Sequence, residues 1–386
     1  MRKATIIIAG LLLGACSAGL KDEGTDSAGV GTELAESVAA VALEKAPIKD
    51  EAKNPAINYR NIRPLTLAFT GDIMMGTTYP EDYLPEDDGK DLFKDVDSIL
   101  RRVDLAAGNL EGTLFDGEGT VKKCDDPSLC FAFRMPTRYA SYLSDAGYDF
   151  LGIANNHIND FGSEALRSTM QTLSDRDIAY AGLRDICPTA IVERDGMKIG
   201  FAAFGHSTGT LSIMDFDEVE KTVGALRREC DYVVVSFHGG GEGKTFQHVP
   251  HGPEEAFGEE RGDVEKFAHA AVDAGADIVY GHGPHVNRAL ELYDGHLILY
   301  SLGNFCTPVR MGLAGVSGYA PVAEITLNTD GTFQSGKIHS FIQQKGKGPR
   351  RDTGNTVAKN IRTLTLSDFP NTKLEIDSDG EISKKL

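Results

Sequence analysis

The sequence contains no tryptophan, and only six of its 386 residues are cysteine. So few cysteines cannot build a disulfide scaffold of this length, and the fold must rest on burial of apolar side chains. Basic residues are also scarce, because 39 Lys and Arg stand against 57 Asp and Glu, a net charge of −18. Nucleic-acid partners are therefore excluded, since recognition of a phosphate backbone needs clustered positive charge.

The apolar run at the N-terminus, Ile6 to Leu13, is too short to span a bilayer. A basic dipeptide precedes it, and the small residues Gly14 and Ala15 stand directly before Cys16, as in the lipobox of bacterial lipoproteins. We predict that residues 1–15 are a lipoprotein signal peptide and that Cys16 is lipidated. The protein would then be exported and lipid-anchored to the cell envelope, facing the periplasm or the exterior. The alternative is an ordinary secretory signal with an incidental cysteine.

Three further segments follow the predicted anchor. Residues 16–62 are rich in Gly, Ser, Ala and Glu, a composition that predicts a flexible tether. Residues 63–345 are predicted to form the functional domain, and residues 346–386 a C-terminal extension.

Cysteines of an exported protein can form disulfides, because they lie outside the reducing cytosol. Cys124 and Cys130 bracket a turn-rich stretch, and we predict a local disulfide between them. A metal knuckle is the alternative, but it lacks partner ligands at a suitable spacing. The remaining three are predicted to be buried thiols: Cys187, Cys230 and Cys306.

From Leu65 onward, apolar runs alternate with amphipathic stretches, which predicts an α/β fold. The predicted helices are Asp91–Val103, Thr137–Ala146, Ser163–Asp175, Asp217–Glu229 and Asp263–Ala274. Ligand-type side chains follow one predicted strand after another, at Asp72, Glu111, Asn156, His157, His238, His282 and His285. Because the carboxyl ends of strands in an open α/β sheet meet at one crevice, we expect these residues to converge.

The predicted ligand set contains carboxylates, imidazoles and one amide, but no thiolate. Such a set suits divalent Mn, Fe or Zn in a reactive site rather than a structural cysteine–zinc site. There are more ligands than one tetrahedral ion accepts, so Asp72 or Glu111 could bridge two ions about 3.5–4 Å apart. A pair of this kind activates water and clamps a phosphoryl group.

Other histidines are weaker candidates for the same role. His206 follows a further predicted strand, so it could approach the crevice or have a structural role. His248 and His251 could form an extra metal pair, but their loop is rich in Pro and Gly and we predict a surface loop. His269 lies within a predicted helix and is predicted to be an ordinary helix residue.

The order of motifs resembles that of the capsule-synthesis CapA family over about residues 65–345. The runs that carry the resemblance are Thr70–Met74, Asn109–Gly112, Asn155–Gly162, His238–Glu242, Gly281–Val286 and Tyr300–Phe305. That family is linked to poly-γ-glutamate capsule synthesis and is related to the calcineurin-like metallophosphoesterases. The resemblance implies an αββα four-layer sandwich with a dinuclear metal site at the strand ends.

The resemblance also implies residue roles. By motif position, the metal ligands would be Asp72, Glu111, Asn156, His238, His282 and His285. Asn156 would also touch the substrate phosphate, and Glu242 would be a ligand or contact one. His157 would protonate the leaving group, oriented by Asp160.

Two positions depart from the family pattern. Met74 stands where the superfamily has the His of an opening Asp-x-His pair, and Gly239 stands where the family usually has Trp. One ligand is then missing, or is replaced by Glu242 or by a second imidazole.

The predicted function is that of a cell-envelope lipoprotein with dinuclear-metal hydrolase or phosphoesterase activity, linked to synthesis of poly-γ-glutamate or another capsular polymer. Its substrate would be an anionic polymer or a phosphoester, and its partners would include the membrane, through the lipid anchor, and membrane-bound polymer synthase subunits. The alternative is a non-catalytic envelope protein that binds or guides an anionic polymer.

Overall fold

A computed structural model of the chain describes residues 5–7, 62–123 and 130–385. In chain order, the strands are β1 (Thr5–Ile7), β2 (Leu65–Ile73), β3 (Leu105–Leu110), β4 (Thr113–Leu114), β5 (Arg134–Met135), β6 (Phe150–Gly152), β7 (Ala179–Ala181), β8 (Thr189–Arg194), β9 (Met197–Gly205), β10 (Leu211–Ser212), β11 (Tyr232–His238), β12 (Glu254–Ala256), β13 (Glu259–Gly262), β14 (Ile278–Gly281), β15 (Leu290–Tyr293), β16 (His296–Leu299), β17 (Asn304–Cys306), β18 (Val322–Leu327), β19 (Phe333–His339), β20 (Phe341–Gln344), β21 (Gly348–Arg351), β22 (Leu374–Ile376) and β23 (Glu381–Lys384). The α-helices are α1 (Asp97–Leu100), α2 (Ala140–Ala146), α3 (Gly162–Ser174), α4 (Phe216–Glu229), α5 (Val264–Asp273) and α6 (Thr356–Asp368). Short 3-10 helices cover Glu86–Gly89, Thr137–Tyr139, Lys244–Phe246 and Gly315–Gly318.

Two large mixed sheets carry the described part of the chain. Sheet A has the order β1-β8-β9-β11-β14-β16-β15, with β10 beside β9. Sheet B has the order β22-β23-β19-β18-β2-β3-β6-β7, with β17 beside β2. Strands β9, β11, β14 and β16 are parallel to one another, as are β2, β3, β6 and β7. The carboxyl ends of each parallel set therefore lie along one edge of its sheet.

The two sheets pack face to face. The ring of Phe150 in β6 stacks on Phe201 in β9 with centroids 4.3 Å apart, and Phe69 in β2 lies 4.7 Å from Tyr280 in β14. Apolar side chains of α1, α2 and α3 cover the outer face of sheet B, whereas those of α4 and α5 cover the outer face of sheet A. The α/β class and the αββα sandwich predicted from the sequence are confirmed.

Two helices begin directly after a capping aspartate. The carboxylate of Asp215 accepts a hydrogen bond from the N–H of Glu218 at 3.0 Å, and that of Asp263 accepts one from Lys266 at 3.0 Å. These N-caps set the first turns of α4 and α5, which begin within one residue of their predicted starts. The predicted helix Asp91–Val103 was too long, because only Asp97–Leu100 is α-helical. Residues 91–96 form turns, in which the carboxylate of Asp91 accepts from Lys94 and that of Asp95 accepts from the N–H of Arg351.

The C-terminal residues are part of the same compact unit as the sheets. Strand β23 pairs with β19 of sheet B, and Val357, Ala358 and Ile361 of α6 lie in the core between the sheets. The segment predicted as a C-terminal extension therefore completes sheet B and its core.

The N-terminal predictions fall mostly on residues that the structure does not describe. Cys16 and the predicted tether, apart from Ile62, lie outside the described residues, as does most of the predicted signal peptide. Within that peptide, Thr5–Ile7 pairs antiparallel with β8, so cleavage before Cys16 would leave β8 at the edge of sheet A. Among the described residues, no helix has both the length and the apolar character needed to cross a membrane.

Candidate metal centre

Five predicted ligands meet where the carboxyl edges of the two sheets come together. Asp72 lies in β2, Glu111 follows β3, His238 ends β11, and His282 and His285 follow β14. All five are buried, with exposed fractions between 0% and 8%. The convergence predicted from strand ends is therefore present in the fold.

A close backbone approach holds Asp72 in place. Its N–H donates to the carbonyl oxygen of Gly303 at 2.9 Å, which ties β2 to the segment before β17. A Cβ on Gly71 would lie 1.8 Å from that same oxygen, so only glycine fits there.

Asp72 contacts two imidazoles and an amide. Its Oδ2 lies 2.8 Å from Nδ1 of His285, and its Oδ1 lies 3.3 Å from Nδ1 of His282. Asn109 donates to Oδ1 at 2.8 Å. Burial alone would raise the pKa of the Asp72 carboxyl, but His285 and His282 hold it below its ordinary value. Burial opposes protonation of His285, yet Glu111 and Asp72 raise its pKa to about 10.

Glu111 is buried without a hydrogen-bond partner for either carboxylate oxygen. Its Oε1 faces three imidazole nitrogens, Nε2 of His285 at 3.5 Å, of His157 at 3.8 Å and of His238 at 3.9 Å. Burial, followed by the charge of Asp72, raises the pKa of Glu111 well above its ordinary value. Nε2 of His238 also lacks a partner, and burial lowers the pKa of His238 well below its usual range.

Unpartnered buried atoms of this kind cost free energy in the folded state, so they call for an explanation. The ligand atoms of Asp72, His238 and His282 lie within 4.8 Å of one another, and so do those of Glu111, His238 and His285. The two sets share His238. The residues fit a divalent-metal centre because their donor atoms converge and several have no other partner.

His157 lies beside this centre, and Asn156 directly precedes it in the chain. Nδ1 of His157 lies 2.8 Å from Oδ2 of Asp160, so the predicted contact between these residues is present and Nε2 faces Glu111. Oδ1 of Asn156 is buried without a hydrogen-bond partner. Burial lowers the pKa of His157, with Asp160 acting in the opposite direction.

Glu242 and His206 occupy the rim of the centre. Oε1 of Glu242 lies 3.7 Å from Nε2 of His285, and its Oε2 lies 3.5 Å from Nη1 of Arg261. Nδ1 of His206 contacts the backbone oxygen of His238 at 3.2 Å. Glu242 is therefore within reach of the ligand cluster, whereas His206 supports the backbone behind it. Burial lowers the pKa of His206 to about 4.

Met74 is 1% exposed and its N–H donates to the carbonyl oxygen of Cys306. No imidazole comes from that position. His285 contacts Asp72 and Glu242 lies near His285, but whether either replaces the missing ligand stays a prediction.

Sequence reasoning missed a chain of amides behind the ligands. Asn155 donates to Oδ1 of Asn109 at 3.0 Å, and the N–H of His157 donates to Oδ1 of Asn155 at 3.1 Å. The chain continues from Asn109 to Asp72, so it links β2, β3 and the His157 loop. Each asparagine is the first residue of a run that carries the family resemblance, and that position was the available signal.

Sequence reasoning also missed two further residues, Lys122 and Asn304. Nζ of Lys122 lies 2.6 Å from Oδ1 of Asp160, although no motif surrounds Lys122 in the sequence. Oδ1 of Asn304 is buried without a partner at the start of β17, which pairs with β2 at Asp72. Asn304 belongs to one of the motif runs but is not among the predicted ligands.

The cysteine predictions have two outcomes. Cys130 is disulfide-bonded, whereas Cys124 lies outside the described residues, so the pairing of these two stays a prediction. Cys187, Cys230 and Cys306 are free and buried, as predicted.

Curated proteins with similar sequences come from bacteria. The capsule biosynthesis protein CapA of Bacillus anthracis is 29% identical over 283 residues, which cover 67% of this chain and 63% of the relative. The PGA biosynthesis protein CapA of Bacillus subtilis strain 168 is 28% identical over 271 residues, which cover 66% of each chain. The present chain thus spans just under two thirds of the length of these relatives.

Among solved structures, a 5'-nucleotidase precursor from Thermus thermophilus is similar with a TM-score of 0.42 and 12% identity, covering 74% of this chain and 56% of that one. The family model described as "Bacterial capsule synthesis protein PGA_cap" matches residues 66–308, a range that contains every predicted metal ligand. The chain therefore belongs to the PGA_cap family of bacterial capsule synthesis proteins.

Proposed function

We propose that the chain is a metal-dependent hydrolase of the phosphoesterase type that takes part in the synthesis of a capsular polymer at the cell envelope. One observation carries the proposal. Both oxygens of Glu111, Oδ1 of Asn156 and Nε2 of His238 are buried without a hydrogen-bond partner. Carboxylate, amide and imidazole donors without thiolate suit Mn, Fe or Zn.

The residues divide between two ion positions. Asp72 and His282 would hold one ion, Glu111 and His285 the other, and His238 belongs to both sets of donors. Asn156 and Glu242 complete the proposed ligand set. When bound, such a pair supplies Lewis acidity and a water of lowered pKa.

Side chains of the chain itself orient His157 and exclude water from it. Asp160 accepts the Nδ1–H of His157, which leaves Nε2 as the atom that can give a proton to a leaving group. Asp160 also accepts the N–H of Phe133 at 2.7 Å and contacts Lys122 at 2.6 Å, so its orientation is fixed from three sides. The ring of Phe133 lies 4.4 Å from the imidazole of His157 and shields it from water.

The proposed biological context follows from the relatives' names, capsule and PGA biosynthesis. An anionic polymer or phosphoester is the proposed substrate. Because the chain carries a net charge of −18, such a substrate must be drawn by local positive charge at the centre rather than by the surface as a whole. Export, a lipid anchor at Cys16 and membrane-bound synthase partners complete the proposal.

The test compares metal-loaded wild type with His157→Asn and Asp72→Asn on p-nitrophenyl phosphate and bis-p-nitrophenyl phosphate. His339→Asn is the matched control, since His339 contacts Glu324 at 2.7 Å outside the centre. We expect His157→Asn to lose about 10²–10⁴-fold in kcat with its metal content unchanged. Asp72→Asn should also lose metal. Hydrolysis by His157→Asn at the wild-type rate would contradict the assigned role.

A second candidate function rests on Met74. A buried thioether at the position of a superfamily ligand favours a centre that binds an anionic polymer without cleaving it. Calorimetry with poly-γ-glutamate separates the two functions. Polymer binding by wild type and His157→Asn alike, together with no turnover by loaded wild type, would select the non-catalytic function.

A further inference from the structure

A second cluster of ligand-type side chains lies outside the candidate metal centre. Glu265 and His269 stand one turn apart on α5, and Glu291 lies in β15. Their ligand atoms all lie within 4.8 Å of one another, and Nε2 of His269 is 2.9 Å from Oε2 of Glu291. Residues four apart on a helix project from the same face, so α5 presents a carboxylate and an imidazole together.

Neighbouring groups hold these ligands in position. Tyr300 donates its hydroxyl to Oε2 of Glu291 at 2.6 Å. The ring of Tyr293 stacks on His269 with centroids 3.8 Å apart and planes 10° apart. Glu291 also lines a surface cavity of about 520 Å³, which gives an ion a route from solvent. Contacts of this kind fix the orientation of metal ligands in known sites.

The carboxylates around the cluster have imidazole partners instead of Lys or Arg. Nδ1 of His251 lies 2.8 Å from Oε2 of Glu265, and Nδ1 of His248 lies 2.6 Å from Oδ1 of Asp368. Over residues 62–123 and 130–385, no Lys or Arg forms an ion pair with Glu265, Glu291 or Asp368. The two carboxylates of the cluster are therefore paired with imidazoles, whose protons a divalent cation can displace when it binds.

We propose that Glu265, His269 and Glu291 form a second, peripheral zinc site. Three protein ligands of mixed oxygen and nitrogen type suit Zn²⁺, with a fourth position left for water or for His251. Ligand atoms around a tetrahedral Zn²⁺ lie about 3.3 Å apart, so the present arrangement needs only small side-chain rotations. The ion would fasten α5 to β15.

The site would also reach the candidate metal centre through one loop. His251 belongs to the loop between β11 and β12, as do Gly241 and Glu242. Glu254, at the end of that loop, accepts a hydrogen bond from the N–H of Gly241 at 2.8 Å. Zinc at the peripheral site would therefore steady a loop that carries a proposed ligand of the centre.

The test counts zinc per chain after equilibrium dialysis of the full protein against ZnCl₂, with metal analysis by mass spectrometry. Glu265→Gln and His269→Gln should each bind one zinc ion fewer than wild type. His339→Gln is the control, because His339 is likewise paired with a glutamate but belongs to neither cluster. Zinc counts equal to wild type in both cluster variants would overturn the proposal, and so would an equal loss in the control.

A variant of the candidate centre makes the two sites distinguishable. Asp72→Asn should lose zinc from the centre while it keeps the peripheral ion, and adding Glu265→Gln to it should remove that ion. If Asp72→Asn binds no zinc at all, the peripheral site does not exist. Circular dichroism checks folding, and because Glu265 and His269 are both only partly buried, either variant keeps the test valid if the other fails to fold.

Discussion

A fully buried ion pair supports the loop beside the candidate metal centre. The guanidinium of Arg288 meets the carboxylate of Glu254 in two contacts of 2.7 and 2.6 Å, and both residues are at most 6% exposed. Arg288 also donates to the carbonyl oxygen of Phe246 at 2.7 Å, and Glu254 accepts from Gly241. The pair therefore ties both ends of the segment that carries Glu242.

Replacing Glu254 by Gln would leave the guanidinium of Arg288 buried without its counter-charge. Breaking a buried pair in this way costs about 3–5 kcal/mol of the free energy of unfolding. At about 2 °C per kcal/mol for a large domain, the expected fall in Tm is about 6–10 °C. The double variant Glu254→Leu, Arg288→Met removes both charges, so it should recover most of that loss.

Urea denaturation and calorimetry of the single variants Glu254→Leu and Arg288→Met and of the double variant give the coupling energy directly. The expected coupling between Glu254 and Arg288 is at least about 2 kcal/mol. A single variant that loses less than about 1 kcal/mol would refute the reasoning. So would a double variant whose loss equals the sum of the two single losses, since that means the charges do not depend on each other.

Two further predictions concern the core and the surface. Phe150→Ala should lower the free energy of unfolding by about 3–5 kcal/mol, because its ring stacks on Phe201 between the sheets; chemical denaturation that shows a loss under about 1 kcal/mol would contradict this. The hydrogen bond from His339, aided by Arg102, lowers the pKa of Glu324 to about 2 from its ordinary value of 4.5. The lowered pKa of Glu324 stabilises the fold at pH values above about 4.5, and this stabilisation is lost as the pH falls from about 4.5 to about 2. Glu324→Gln should therefore flatten the fall in Tm over that pH window. An unchanged acid-side slope in the variant would show that the pair contributes nothing.

Much of the candidate site could be predicted because its residues follow strands. Apolar runs ending in Asp72, Glu111 or His238 reveal both the strand and its end, and topology then requires those ends to meet. The same logic could not find Lys122, whose contact with Asp160 depends on a loop path. It also could not predict that Asn109 and Asn155 contact each other, because neighbouring strands bring them together only in the folded sheet.

The remaining differences lie where local sequence is ambiguous. The segment before α1 has helical spacing, but its aspartates favour turns. Helix α6 contains several threonines, which favour strands in isolation, and packing of Val357, Ala358 and Ile361 in the core stabilises it as a helix. The sequence places His269 within a helix but could not reveal its contact with Glu291, which is distant in sequence.

The central claim is that Asp72, Glu111, His238, His282 and His285 bind divalent metal. The most direct measurement is a crystal structure of protein loaded with Mn, Fe or Zn, with anomalous data collected at the edge of the added metal. Anomalous peaks are expected within ligand distance of both Asp72 and Glu111. Crystals soaked at saturating metal that show no anomalous peak among these five residues would contradict the claim.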